Sequence, residues 1–293
     1  MAGQLKEVRN RIKSVMSTQQ ITKAMKMVSA AKLRKAQDRI VQMRPYSNKL
    51  SEMLQNIVSG ESDVQISYAA ERQVNKVLVV LVTSDRGLCG GFNANLIKTA
   101  RILVTTQYAE QLKKGNVEIM CIGKKGADFF RKAYKVNTDF VGLFSQISFE
   151  NVSRGAEKVM QGFVTGEYDK VDIVYSQFKN AANQNFVVEP FLPIAKQKPA
   201  ANAKATNNDF IYQPSKETLI VELVPKILKT QFFKCVLDTN ASEHGARMTA
   251  MDKASENANE LLKSLRLSYN RARQAAITTE LTEIVSGAAA LEN

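Results

Sequence analysis

Two stretches of this 293-residue chain contain neither glycine nor proline: Gln4 to Met43 at one end and Ala246 to Ser286 at the other. Both are rich in Lys, Ala, Met, Gln and Arg or similarly good helix formers, so each is expected to be one long helix. At about 1.5 Å per residue, about 40 residues span roughly 60 Å, more than the width of a small domain. In the first run Leu5, Val8, Ile12 and Val15 keep the 3-4-3 spacing of a coiled-coil seam, and Leu33, Ala36, Ile40 and Met43 fall on the same register. Between them the register holds Gln19, Thr22, Lys26 and Ser29, while the apolar residues sit at Ile21, Met25 and Val28. The seam is therefore expected to rotate around the helix in mid-course. In the second run Met248, Met251, Ala258, Leu262, Leu265, Tyr269, Ala272 and Ala276 share one seam, after which Ile277, Leu281 and Ile284 take over. Two such helices at opposite ends of a chain can pack antiparallel, and everything between them becomes an insertion.

The insertion alternates strand and helix signals. "KVLVVLVTS" reads as a strand, Phe92 to Leu112 as a helix, "VEIMCIG" as a strand, Lys124 to Tyr134 as a helix, "DFVGLF" as a strand, Val152 to Phe163 as a helix and "VDIVYSQF" as a strand. This pattern predicts a mostly parallel, doubly wound, Rossmann-like α/β domain. Residues 196–209, "KQKPAANAKATNND", are small and polar and read as a loop. "SKETLIVELVPKILKTQFFKCVLDT" is helical in spite of Pro225 and either runs on through Gly245 or breaks there. The expected division is an N-terminal coiled-coil helix over 1–57, an α/β domain over 75–195, a loop segment over 196–215 and a C-terminal helical region over 216–293.

The stretch "SDRGLCGGFN" at 84–93 follows the first strand and precedes a helix, the place where α/β proteins hold phosphate. Its glycines Gly87, Gly90 and Gly91 match neither the dinucleotide fingerprint nor the P-loop, and no Lys-Ser or Lys-Thr pair follows. A packing turn, with glycines supplying positive φ and close approach, competes with a phosphate cradle. Asp85 is the acid best placed for metal or phosphate chemistry, and it can equally fix the turn. One histidine, His244, and three scattered cysteines, Cys89, Cys121 and Cys235, leave no raw material for a His-based zinc site or a Ser-His-Asp triad. No catalytic constellation, metal site or cofactor is expected.

The net charge of +13 is concentrated at one end. Residues 1–44 carry eleven Lys or Arg against Glu7 and Asp38, so that +9 of the total lies there. Such a helix suits nucleic acid, an anionic membrane face or an acidic protein partner. The chain has no Trp and the basic run has no interleaved aromatics, which argues against nucleic acid. No apolar stretch reaches the about 18 residues needed to cross a bilayer, and "MAGQLKEVRN" lacks the apolar core of a signal peptide. The C-terminal "EIVSGAAALEN" places small apolar residues where no chain remains to cover them, which predicts a socket supplied by another protein.

Three blocks carry a resemblance: "IKSVMSTQQITKAMKMVSAAKLRKAQ" at 12–37, "TSDRGLCGGFN" at 83–93, and "ASEHGARMTAMDKASENANELL" with "YNRARQAAITTELTEIVSGAAAL" within 241–291. In this order they resemble the gamma subunit of the bacterial F-type, proton-transporting ATP synthase. The resemblance implies a rotor shaft: a coiled coil inside a ring of three alpha and three beta subunits, with the α/β insertion as a foot near epsilon and the ring of c subunits. Nucleotide in that family sits on alpha and beta, so Asp85, Gly87, Gly90 and Gly91 become a packing turn. By matching position, Arg273 and Gln274 resemble the pair that hydrogen-bonds an acidic loop of beta, with Thr278 nearby. Met25 and Arg247 resemble positions beside the acidic lever of beta, where Lys23 and Lys26 add positive charge. Ile284, Ala288 and Leu291 correspond to the tip that turns in its bearing. Phe210 and Tyr212 resemble aromatic residues of the foot, although Gln213 stands where the family pattern implies an acid. The cysteine-bearing regulatory insert of chloroplast relatives is absent, and no mitochondrial leader is recognisable. The implied place is the cytoplasmic face of a bacterial inner membrane, reached only through the complex. The rivals are a basic coiled-coil protein that binds nucleic acid and a small α/β nucleotide-binding enzyme.

Overall fold

The computed structural model describes residues 2–59, 67–181, 183–194 and 216–291. Its central strand, β1 (Val77–Val82), reads VLVVLV, and all six residues are buried. A strand covered on both faces has no use for polar alternation, which is why the sequence runs apolar without a break. β2 (Val117–Ile122) and β4 (Lys170–Phe178) flank it, both parallel, with Val77 opposite Val117 and Lys170. A short β3 (Lys135–Asn137) extends the sheet beside β2, and β5 (Gln184–Leu192) closes the other edge antiparallel to β4, giving the order β3-β2-β1-β4-β5.

Val77, Val79 and Leu81 point into a core with α2 (Phe92–Thr106) and α4 (Lys124–Phe130). Leu78, Val80 and Val82 point the other way, against α5 (Phe149–Val164) and Val224–Val236 of α6 (Lys216–Leu291). The sheet is doubly wound, as the alternation of elements implied. One glycine is indispensable to it: Gly123, between β2 and α4, has φ of +96°, and a Cβ there would stand 2.2 Å from the Thr83 carbonyl oxygen.

Several boundaries differ from the sequence reading. The helix expected over Phe92–Leu112 is interrupted: α2 ends at Thr106 and α3 (Ala109–Lys113) restarts. Tyr108 lies between them, buried, with its hydroxyl on the Asp172 carboxylate of β4, so a tertiary contact sets the break. "DFVGLF" is not a strand. Val141–Ser145 form a 3-10 turn whose Val141 carbonyl accepts from the Gly123 N–H, which folds the segment over the end of β2, and the edge strand lies just before it. Helix α4 stops at Phe130, short of Tyr134. β5 was not expected; it contains Pro190, which an edge strand tolerates, beside a register shift at Val171/Asp172.

Helix α1 (Ala2–Ser59) passes through Pro45, and α6 passes through both Pro225 and Gly245 without a break. A Cβ on Gly245 would lie 3.2 Å from Cα and 3.3 Å from O of Ala181, so glycine serves close approach here and does not end the helix. By contacts the chain forms two units: Ala30–Ala246, and Met1–Ser29 with Arg247–Asn293. In the first, Leu33, Ala36, Ile40 and Leu50 of α1 are buried and Arg44 donates to the Phe178 carbonyl at 3.2 Å.

The second unit is an antiparallel helix pair. Arg9 donates to the Tyr269 hydroxyl at 2.9 Å, the Thr22 and Ser255 hydroxyls meet at 2.7 Å, and Lys26 reaches Asp252 at 2.5 Å. The partner number falls as the α1 number rises. Here the structure corrects the expected rotation of the seam. Thr22 (9 % exposed) and Ser29 (3 %) stay on the contact line, whereas Ile21 and Val28 are each 57 % exposed. Helix geometry keeps the heptad in place, and the polar pair Thr22–Ser255 satisfies itself inside it.

Candidate functional site

The glycine stretch is occupied by its own side chains. The Asn93 amide oxygen accepts the Ser84 N–H at 3.1 Å, and its NH2 donates to the Ser84 hydroxyl at 2.8 Å. Ser84 Oγ donates to the Arg86 carbonyl at 2.7 Å, and Asp85 accepts the Lys124 N–H at 3.1 Å, tying the end of β1 to the start of α4. Of the three glycines only Gly90 has positive φ, at 59°; Leu88 shares that conformation at 62° and is exposed. A Cβ on Gly87 or Gly91 would meet nothing nearer than 4.0 and 3.5 Å. In open α/β sheets ligands enter where the strand order reverses, here between the carboxyl ends of β1 and β4. That end of β4 is covered by α6: Thr239 accepts from the Ser176 N–H at 3.3 Å, Ser242 donates to the Ser176 carbonyl at 3.2 Å, and Ala246 joins the core with Phe92 and Val174. Cys89, Cys121 and Cys235 are buried thiols, and burial pushes Cys121 up to about 12. Among the described residues no group of His, Cys, Asp and Glu has the arrangement of a metal site.

The exposed face of the helix pair is chemically richer. On α6 the seam residues Leu262 and Leu265 are buried and Tyr269, Ala272 and Ala276 half-buried, but Ile277, Leu281, Ile284 and Val285 are 47 to 66 % exposed. Beside them Arg273, Gln274 and Thr278 are exposed as well, Gln274 and Thr278 one turn apart on the same face and Arg273 about 100° round the helix. Thr278 donates back to the Gln274 backbone carbonyl at 3.0 Å, and, after the hydrogen bond from Arg9, the positive charge of Arg273 helps to lower the Tyr269 phenol. On α1 Lys23 is exposed, together with Ile21, Met27 (67 %) and Val28. Met25 is half-buried, Lys26 is tied to Asp252, and Arg247 is buried. Farther along, the Tyr269 hydroxyl raises the Arg9 guanidinium pKa, and that bond lowers the phenol. Ala288 is exposed; the Leu291 side chain, Phe210 and Tyr212 lie outside the described residues. Sequence reading missed Ile21, Met27, Val28 and Val285 as surface groups. The signal was available in the heptad register, which assigns all of the α1 residues to positions off the seam.

The helix pair leaves apolar residues of its own uncovered, and in the sheet domain the crevice at the strand-order reversal is filled. The chain matches the family described as ATP synthase over residues 4–291. It is 54 % identical to the ATP synthase gamma chain of Cytophaga hutchinsonii, covering 99 % of each chain, and 52 % identical to that of Flavobacterium johnsoniae, covering 98 % of each. The chain belongs to the ATP synthase gamma-chain family. Among solved structures, a chain of the Euglena gracilis mitochondrial ATP synthase OSCP/F1/c-ring assembly shares its fold, with a TM-score of 0.67 and 22 % identity over 99 % of this chain and 95 % of that one. Within this family member, no helix among the described residues is long and apolar enough to cross a membrane.

Proposed function

We propose that the chain is the non-catalytic central shaft of a bacterial F-type ATP synthase. In this reading it turns inside a ring of three alpha and three beta subunits and couples proton flow through the c ring to ATP synthesis and hydrolysis on beta. Family membership supports it, and the single structural observation that carries it is the uncovered stripe Ile277, Leu281, Ile284 and Val285 on α6. Apolar residues left bare on a helix end suit a sleeve formed by other subunits.

A shaft acts through asymmetry. Three identical subunits facing an object with different sides are held in different conformations, and rotation exchanges those conformations. The exposed arm offers such sides: a guanidinium and an amide at Arg273 and Gln274, a cation at Lys23, and bare apolar groups at Ile21 and Val28. Arginine's planar fork suits an acidic loop of beta. Thr278 lies beside that contact, and Lys26 and Met25 border the second one. Arg247, buried in the chain itself, would position its neighbours there. Ile284, Ala288 and Leu291 form the turning tip, and the foot, with Phe210 and Tyr212, meets epsilon and the c ring. Asp85, Gly87, Gly90 and Gly91 serve as a packing turn. The protein would sit on the cytoplasmic face of the inner membrane, held there by the complex, and bind no nucleic acid.

The test is the double substitution Arg273→Ala with Gln274→Ala. Losing charge-assisted hydrogen bonds to beta is expected to lower ATP synthesis in membranes by about tenfold while the purified chain keeps its melting temperature. Undiminished synthesis would remove these residues from the contact.

A further inference from the structure

Helices α2 and α4 each follow a parallel strand and lie side by side on one face of the sheet, leaving an open groove of about 690 Å³ between them. Its floor is apolar: Ala94 and Ile97 from α2, and Phe129 from α4, the last 46 % exposed although Phe130 beside it is fully buried. Its rims are cationic, with Lys98 and Arg101 on α2, Lys125 on α4 and Lys132 in the turn that follows it, against Asp128 alone. These five charged side chains make no ion pair or hydrogen bond with any described residue, in a domain where Lys135, Lys158 and Lys229 all hold carboxylates. The lining residues Asn93, Ile97 and Arg101 repeat at i, i+4 and i+8 on α2, so the groove runs about 12 Å, or two helical turns, along that helix and faces α4 and the turn after it.

We propose that this groove docks an acidic amphipathic helix of a protein partner, whose apolar side chains seat on Ile97 and Phe129 and whose carboxylates pair with the four cations. Charge complementarity selects an acidic partner, because three more cations than anions line the rims. The apolar floor selects a peptide over a small anion, since a phosphate group gains nothing from a phenyl ring and an isoleucine left bare. The groove's length of about two helical turns along α2 selects a helix, whose residues at i, i+3 and i+4 make one apolar stripe with charges beside it. The inference does not depend on the shaft reading, for the groove lies wholly within the sheet domain.

The experiment is fluorescence anisotropy with the full-length chain and a fluorescein-labelled peptide of about four helical turns, bearing Leu at i, i+4 and i+7 with Glu on both flanks. A scrambled peptide of the same composition is the control. The amphipathic peptide is expected to bind at least about tenfold tighter than the scramble, and Lys125→Glu with Lys132→Glu to weaken it about tenfold. Phe129→Ser, at an exposed position, is expected to weaken binding about fivefold with the melting temperature unchanged. Absence of binding, equal binding of the scramble, or indifference to Phe129→Ser would overturn the proposal. So would displacement of the peptide by inorganic triphosphate at lower concentration than by unlabelled peptide, which would make the groove an anion site.

Discussion

The sheet domain and the helix pair are built from similarly apolar sequence but close in different ways. In the sheet, Val79, Val80, Leu81 and Val82 are wholly inaccessible, with helices on both sides of them. In the helix pair a single line of contacts does all the closing, part of it through the hydroxyls of Thr22 and Ser255, while Ile21, Met27, Val28, Leu281 and Val285 stand bare. A two-layer or three-layer body satisfies its own surface; two helices bury only the stripe between them. The arm's remaining apolar residues are therefore informative about partners, as are Ile97 and Phe129 in the groove between α2 and α4, whereas those of the strands report on packing alone.

The sharpest way to break this contrast is to empty a site in each region. Phe163→Ala, at a wholly buried position between α5 and the sheet, is expected to cost about 3 to 5 kcal/mol in urea unfolding of the chain. A cost near 1 kcal/mol would mean that the sheet core is as loosely closed as the arm. Asp238, buried near Arg44 and Lys234, gives a second handle. Burial pushes its carboxyl up to about 6, the two cations pull the other way, and Glu189 adds to the rise. Because the folded value lies above the unfolded one of about 3.9, the stability this group contributes is complete below about pH 4 and is lost as pH rises through about 6. Relative to Asp238→Asn, the native chain should lose on the order of 2 kcal/mol between pH 4 and pH 7, seen as diverging melting temperatures. Parallel curves would place that carboxylate in water.

Within the arm the effects shrink. Thr22→Val alone should cost about 1 kcal/mol, and Ser255→Ala added to it should cost less than Ser255→Ala alone, because the hydroxyl contact is already gone while each hydroxyl also donates to its own helix backbone. Additive losses would show that the two residues do not meet. Ile21→Ala should change stability by less than about 0.5 kcal/mol, as for other exposed positions. A loss of about 2 kcal/mol would restore the rotating seam that the apolar pattern suggested.

Strands buried on both faces announce themselves, and "KVLVVLVTS", "VEIMCIG" and "VDIVYSQF" were legible for that reason. The heptads at both termini were legible because a seam must repeat. What escaped was decided by tertiary contacts. The break at Tyr108 exists for Asp172, the 3-10 turn at Val141 exists for Gly123, and β5 hides behind a proline that only an edge position permits. In the arm, hydrophobicity pointed to Ile21 and Val28 while geometry kept Thr22 and Ser29, because a satisfied hydroxyl pair can sit in a seam and an apolar residue can face a partner. The residue types at Arg273 and Gln274 carry no local signal of their role; only the family resemblance singles them out, and the structure leaves both exposed.

The most direct test is native mass spectrometry of the tagged chain purified from its own membranes in mild detergent. A shaft predicts one copy of this chain in a complex with three copies each of two larger subunits and a small partner. A free monomer, or a chain carrying nucleic acid or nucleotide in place of those subunits, would contradict it.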